Sequence, residues 1–169
     1  MSGAGVFGRR VSRQAAHPRG SSGGLIGRIW VWETAAVNYT VLAALDPQPG
    51  ETVVEVGHGP GRTLGRVLEA VAEAIGVEVS ETMMGRARAR NRQAILDGRL
   101  RLHLGDGIHL PLADGSADAV IALHTVYFWP DPETTFAECA RILLPGGRLV
   151  IASRNGSVPL PRRLDPTIY

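Results

Sequence analysis

Lysine is absent: all 18 basic residues of this 169-residue chain are arginine. That absence excludes a P-loop lysine, a pyridoxal-phosphate Schiff base and any lysine nucleophile. Cysteine is nearly absent, and the single Cys139 permits neither an intramolecular disulfide nor a four-cysteine zinc site. The 5 histidines include no HExxH pair, so no metal site is expected. No apolar run approaches the roughly 18 residues that cross a bilayer. What is present, 44% hydrophobic and 20% charged residues, suits one soluble domain with a real core, expected to be cytoplasmic.

Charge is unevenly placed. Residues 1–32 hold Arg9, Arg10, Arg13, Arg19 and Arg28 without an acid, whereas the remaining 13 arginines face 16 acids. Residues 1–32, rich in Gly and Ser at their start, read as an Arg-rich flexible arm. The negative balance of the rest repels phosphates, so nucleic acid is not expected as substrate. From Glu33 the pattern becomes periodic. Glu33–Leu45 reads as a helix with Ala36, Val37, Thr40, Val41 and Ala44 on one face, Glu51–Gly57 as a buried strand, and Arg62–Ile75 as a helix. A strand Gly76–Ser80, a helix Glu81–Leu96 and strands Arg99–Leu104 and Ala117–Leu123 follow. A helix Pro132–Leu144, ended by Pro145-Gly146-Gly147, leads to a fifth strand, Arg148–Ser153. Residues 154–169 form a Pro-rich tail.

Alternation of this kind predicts a Rossmann-like α/β domain over 33–153, a mostly parallel sheet of about five strands with helices on both faces. In such a sheet the ligand lies beyond the carboxyl ends of the strands. Three groups fall there. The first, Glu55-Val56-Gly57-His58-Gly59-Pro60-Gly61, follows strand one, and its glycines allow a tight turn and close approach of a ligand to the main chain. A dinucleotide GxGxxG fingerprint would place its third glycine at Arg62, but here it falls at Gly61. The second is Glu78 at the end of strand two, where an acid can accept from both ribose hydroxyls. The third is Gly105-Asp106-Gly107 after strand three. Asp106 can accept from an adenine amine, with Ile108 and Met83 flanking the ring, although an Asp-Gly pair also simply makes turns.

The segments EVGHGPG, GVEVSETMM, GDGIHLPLADGSADAVIALH and ARILLPGGRLVI, in this order and spacing, resemble the class I S-adenosylmethionine-dependent methyltransferases. The likeness spans roughly residues 33–153 and is strongest to the small-molecule type that includes quinone-biosynthesis enzymes. It implies S-adenosyl-L-methionine as cofactor and methyl transfer to a small, apolar or aromatic acceptor. By the same resemblance Glu55, Gly57, Gly59 and Gly61 line the methionine part and Glu78 holds the ribose; His58, unusual in such a loop, reads as part of the cofactor shell rather than a base, because the glycine turn beside it exists to contact the cofactor. Val79 and Met83 stand beside them, while Asp106, Gly107 and Ile108 border the adenine. His124, at the end of strand four, faces the methyl-bearing sulfur or the acceptor, and His124 and Tyr127 are the candidate catalytic residues. Tyr127, Phe128 and Trp129 either stack on a flat acceptor or form a hydrophobic plug beneath the arm. His103 reads as a satisfied structural histidine and Cys139 as core.

The family continues after strand five with a helix and an antiparallel strand pair, which three prolines make unexpected here. The strand Arg148–Ser153 would then be an open edge. A truncated product, a minimal form whose tail covers the edge, and a homodimer paired through it all satisfy that pattern. The rival function is an inactive methyltransferase-like domain that binds the cofactor or a partner protein.

Overall fold

The computed structural model describes residues 35–153; the expected arm over 1–32 and tail over 154–169 lie outside the described residues. Strands β1 (Thr52–Val56), β2 (Glu73–Glu78), β3 (Leu100–Leu104), β4 (Ala117–Leu123) and β5 (Leu143–Ala152) form one sheet. Its order is β3-β2-β1-β4-β5 and every pair is parallel. The helices are α1 (Ala35–Leu45), α2 (Arg62–Val67), α3 (Glu81–Arg90), α4 (Arg92–Leu96) and α5 (Pro132–Ile142). A 3₁₀ turn, Val126–Phe128, follows β4.

The register explains the two cores. Val53, Ala74, Leu100 and Ala119 lie in one cross-strand row, and the next row, Val54, Ile75 and Val120, faces the other way. The first face buries Val41 and Leu45 of α1 and Leu64 and Val67 of α2. The second buries Cys139 and Ile142 of α5 with Leu110 and Trp129. Because both faces are covered, β1, β2 and β4 are almost wholly buried, as continuous apolar runs require. Arg148 of β5 ties the margin together: it donates through Nε to Leu45 O (2.9 Å) and through both terminal nitrogens to Glu51 (2.8 and 2.7 Å).

Three expected helix boundaries are corrected, and the strand expected over Gly76–Ser80 runs instead over Glu73–Glu78. The helix predicted over Arg62–Ile75 ends at Val67, and Ile75 belongs to β2. The chain closes short turns after α2, with Glu69 N–H donating to Arg66 O and Ala70 N–H to Val67 O, before Ala72 and Glu73 donate to Glu51 O. Leu68 and Val71 continue the apolar spacing through those turns, which is why periodicity alone carries the helix too far. The helix predicted over Glu81–Leu96 breaks at Asn91 into α3 and α4. The last helix stops at Ile142 rather than Leu144, and Pro145-Gly146-Gly147 lies inside β5 as an irregularity between the pairs Ala117–Leu143 and Ala119–Arg148. Among the described side chains of α1, Val41 is buried as expected and Leu45 joins it, whereas Thr40 and Ala44 of the expected face are exposed.

Candidate functional site

The carboxyl ends of β1, β2, β3 and β4 bring the three predicted groups to one edge. After β1 the chain turns at Gly57, Gly59 and Gly61, with φ of +75°, +52° and +71°. The first and third are also packed: a Cβ at Gly57 would collide with Thr125 Cγ2, and one at Gly61 would stand 2.7 Å from Asn91 Nδ2. Gly59 differs, since a Cβ there would meet nothing within 4 Å. Its side of the loop is therefore open, the place where a ligand can lie against the main chain.

Glu78 joins this loop to the next strand. Gly59 N–H donates to Glu78 Oε2 (2.9 Å) and Ser80 N–H to Oε1 (2.8 Å), while Gly57 N–H donates to Val77 O (2.7 Å) and Gly105 N–H to Glu78 O (3.1 Å). The carboxylate is 7% exposed. An ionised carboxylate is an acceptor with two oxygens, the type of group that takes hydroxyls. Ser80 then caps α3, which begins with Met83 and Met84 buried. Val79 is exposed beside them.

Glu55 is fully buried, and its Oε2 has no hydrogen-bond partner. Burial raises its pKa well above the usual carboxylate range, the Thr63 hydroxyl and Leu64 amide pull it down, and Glu78 adds to the rise. A buried carboxyl with one oxygen unpartnered, beside an open glycine turn and an acceptor carboxylate, fits a ligand with an amine and a ribose. The site therefore suits S-adenosylmethionine on its own chemistry.

His58 is placed differently from the cofactor-shell position expected from its place in the glycine turn. Its ring is 4% exposed and points into the protein. Nδ1 lies 2.8 Å from Gly59 O, which can only accept, so Nδ1 carries the proton and Nε2 faces Met84 Sδ at 3.3 Å. Burial lowers its pKa to about 4. The ring supports the Gly59 turn from beneath and is no candidate base; only its main chain reaches the open side.

Beyond β3, Asp106 is exposed and accepts from Ile108 N–H (3.1 Å), a local turn that leaves its other oxygen outward. Gly107, at φ +84°, is buried so closely that a Cβ would stand 3.2 Å from Val56 Cγ1 and 3.3 Å from Thr135 Cγ2. After β4, His124 takes a left-handed φ of +55°, rare for a residue with a Cβ, and donates its N–H to Ala152 O (2.7 Å). Its Nδ1 lies 3.0 Å from Tyr127 Oη, so the two candidate catalytic side chains are in contact. Tyr127 and Phe128 meet edge to face at 5.0 Å. Trp129 is core: it is 9% exposed and packs on Phe136. Cys139 is core as expected, and burial pushes its thiol up to about 11. His103 does not match its expectation, since its buried Nε2 has no partner. His109 is exposed and lies near enough to Glu138 to help hold that carboxyl's pKa down.

Several contributors escape sequence reasoning. Asn91 donates through Nδ2 to Gly61 O (2.9 Å) and Ala87 O (3.1 Å), and Arg90 Nε to Pro60 O (3.2 Å). The available signal is position: Asn91 continues the buried row Met84, Ala87, where a polar residue must serve a partner. Thr125 donates to Val56 O (3.3 Å) and walls the Gly57 turn, with no sequence motif to announce it.

A parallel sheet with β1 flanked by β2 and β4, a glycine turn after β1 and an acid ending β2 defines a nucleotide-binding α/β protein. Residues 54–151 match the family described as "Methyltransferase domain". The chain belongs to this family, the class I S-adenosylmethionine-dependent methyltransferases. Methyltransferase GfsG of Streptomyces halstedii is 37% identical over 109 residues, covering 64% of this chain and 39% of that protein. An O-methyltransferase of Pyrenophora dematioidea is 32% identical over 120 residues, covering 70% of this chain and 45% of that protein. This chain thus spans less than half the length of these relatives. Among solved structures, the complex between the Haloferax volcanii Trm112 methyltransferase activator and a methyltransferase matches with TM-score 0.70 and 29% identity. The match covers 75% of this chain and 55% of that one.

Proposed function

We propose that this protein transfers a methyl group from S-adenosylmethionine to a small apolar or aromatic acceptor. One observation carries the reading: Gly59, the open glycine of the turn, is hydrogen-bonded at 2.9 Å to the acid that ends the neighbouring strand. Turn and acid are thus one surface, sized for the methionine and ribose parts of a single ligand. In this reading Glu55, Gly57, Gly59 and Gly61 lie along the methionine part, Glu78, Val79 and Met83 along the ribose, and Asp106, Gly107 and Ile108 along the adenine.

The donor supplies a sulfonium, whose methyl group already carries a good leaving group. The chain's own work is to align the acceptor and exclude water. Tyr127 and Phe128 offer rings to a flat acceptor, and a relative in Amycolatopsis mediterranei named 27-O-demethylrifamycin SV methyltransferase supports a small molecule methylated on oxygen. Where an acceptor hydroxyl must lose its proton, His124 takes it, with Tyr127 fixing the imidazole through the 3.0 Å contact. Among the described residues no helix is long and apolar enough to cross a membrane, which is compatible with a cytoplasmic setting.

The test is a thermal-shift titration of the full chain with S-adenosylhomocysteine beside NAD, followed by methyl transfer to phenolic acceptors. At 100 times the dissociation constant the ligand adds about 2.7 kcal/mol, a rise of several degrees. Glu78→Ala is expected to weaken binding at least about tenfold, since an ionised hydrogen-bond acceptor contributes roughly 1.5–3 kcal/mol. Asp106→Ala should weaken it less. Unchanged affinity in Glu78→Ala would remove the ribose assignment. Binding without transfer to any acceptor would favour the rival, inactive reading.

A further inference from the structure

The loop between β3 and β4 has no regular structure of its own, yet it is held at many points by one helix. Along α5, Thr135 packs on Gly107, and Glu138 and Arg141 follow on the same side. Leu110 N–H donates to Glu138 Oε2 (2.8 Å). The Arg141 guanidinium uses all five of its donors. Nε and one Nη2 proton bind Glu138 (2.7 and 2.8 Å), and the other Nη2 proton binds Leu110 O (3.0 Å). Nη1 binds Leu112 O and Asp114 Oδ1, each at 2.8 Å. The ion pair is thus built into the main chain of the loop, with Leu110 held at both its N–H and its C=O. A bidentate arginine–carboxylate pair fixes direction as well as distance. With Leu110 fixed on one side and Gly105 N–H bound to Glu78 O on the other, Asp106, Gly107 and Ile108 span two anchored points.

We infer that Glu138 and Arg141 are positioning residues that set the base-recognition loop Asp106–Ile108 and so let the site distinguish adenine from other purines. The inference rests on the methyl-donor reading above and deepens it. Neither side chain needs to touch the ligand. They act through Leu110 and Leu112, whose placement decides where the Asp106 carboxylate stands. Among the described residues Asp106 otherwise holds only the local bond to Ile108 N–H, which turns with the loop and cannot locate it.

The experiment measures, by calorimetry on the full chain, the dissociation constants of S-adenosylhomocysteine and S-inosylhomocysteine. The two differ at the purine position where an amine donor becomes a carbonyl acceptor. Wild type is expected to prefer the adenosyl compound. Arg141→Lys keeps the charge but loses the fork, and is expected to lower that preference about fivefold, the worth of one hydrogen bond. Glu138→Gln, a milder change, gives a second measurement should Arg141→Lys not fold. A merely structural role would lower the melting temperature and leave the ratio of the two constants unchanged, which overturns the inference alone. A wild type that binds both compounds equally also overturns it. A wild type that binds neither overturns the methyl-donor reading and this inference with it.

Discussion

At Gly59 and Gly76 the same substitution has opposite consequences. Gly59→Ala places a methyl group where nothing stands within 4 Å, at φ +52°. The fold pays only the left-handed strain, roughly 1–2 kcal/mol. The new methyl nonetheless occupies the surface assigned to the ligand, so S-adenosylhomocysteine affinity should fall by more than about tenfold, well beyond what such strain alone does to a folded site. Gly76 has no such opening: its Cβ would lie 2.5 Å from His58 Cδ2 and 2.8 Å from both Leu102 Cδ2 and Leu64 Cδ1. Gly76→Ala should therefore destabilise by about 1–3 kcal/mol through overpacking, while the folded fraction still binds. Urea unfolding and calorimetry on both variants separate the two. Loss of stability without loss of affinity in Gly59→Ala would mean that the ligand does not lie over that turn.

Among the elements, the α3–α4 break at Asn91 serves the loop more than the helices. The main chain of Asn91 stays in the ladder, its N–H on Ala87 O and its C=O receiving Ile95 N–H, while its side-chain amide donates to Gly61 O and Ala87 O. Asn91→Ala should cost about 0.5–1.5 kcal/mol for the lost side-chain bonds, since Ala87 O keeps the backbone N–H of residue 91 and Gly61 O the longer bond from Gly65 N–H, and should lower the melting temperature by a few degrees. It should also weaken S-adenosylhomocysteine binding, because Gly61 closes the turn. Wild-type melting and affinity in that variant would show the contact to be idle. The break is also where the sequence was least legible. Strands β1 and β4 were readable because apolar runs bounded by glycine have few other uses, and the acid of β2 was readable from its distance to the turn. The helix ends were not, since Leu68 and Val71 keep helical spacing through a turn, and Gly76 looked like a strand's edge although it sits mid-strand beneath His58. The inward ring of His58 was hidden for the same reason: nothing local says which way a loop side chain turns. The Glu138–Arg141 clamp joins positions 28 to 31 residues apart from the loop it holds, a pairing that only the fold creates.

Across the whole molecule, two buried groups set opposing pH dependences. His58 has its folded pKa lowered by burial to about 4, below the ordinary value of about 6.5. The unfolded chain therefore binds the extra proton first. Stability from His58 is complete above about pH 6.5 and is lost as pH falls towards 4, at up to about 1.4 kcal/mol per pH unit. Glu55 runs the other way. Burial raises its folded pKa well above 4.5, with Glu78 adding to the rise, so its neutral form is the native one. Its contribution is complete below the unfolded value and is lost as pH rises through the folded one. Between about pH 4.5 and 6.5 the two slopes oppose each other, and wild-type stability should change less than either group alone dictates. Below that window Glu138, held down to about 2 by Arg141, adds a further loss as acid is added. Urea midpoints measured at half-unit steps from pH 4.5 to 6.5 expose the compensation through single variants. Glu55→Gln removes the falling arm, so its midpoint should climb with pH more steeply than wild type. His58→Gln removes the rising arm, so its midpoint should decline with pH. Parallel profiles for wild type and both variants would show that neither group changes its protonation on folding, and the buried electrostatics beneath the glycine turn would then have to be reassigned.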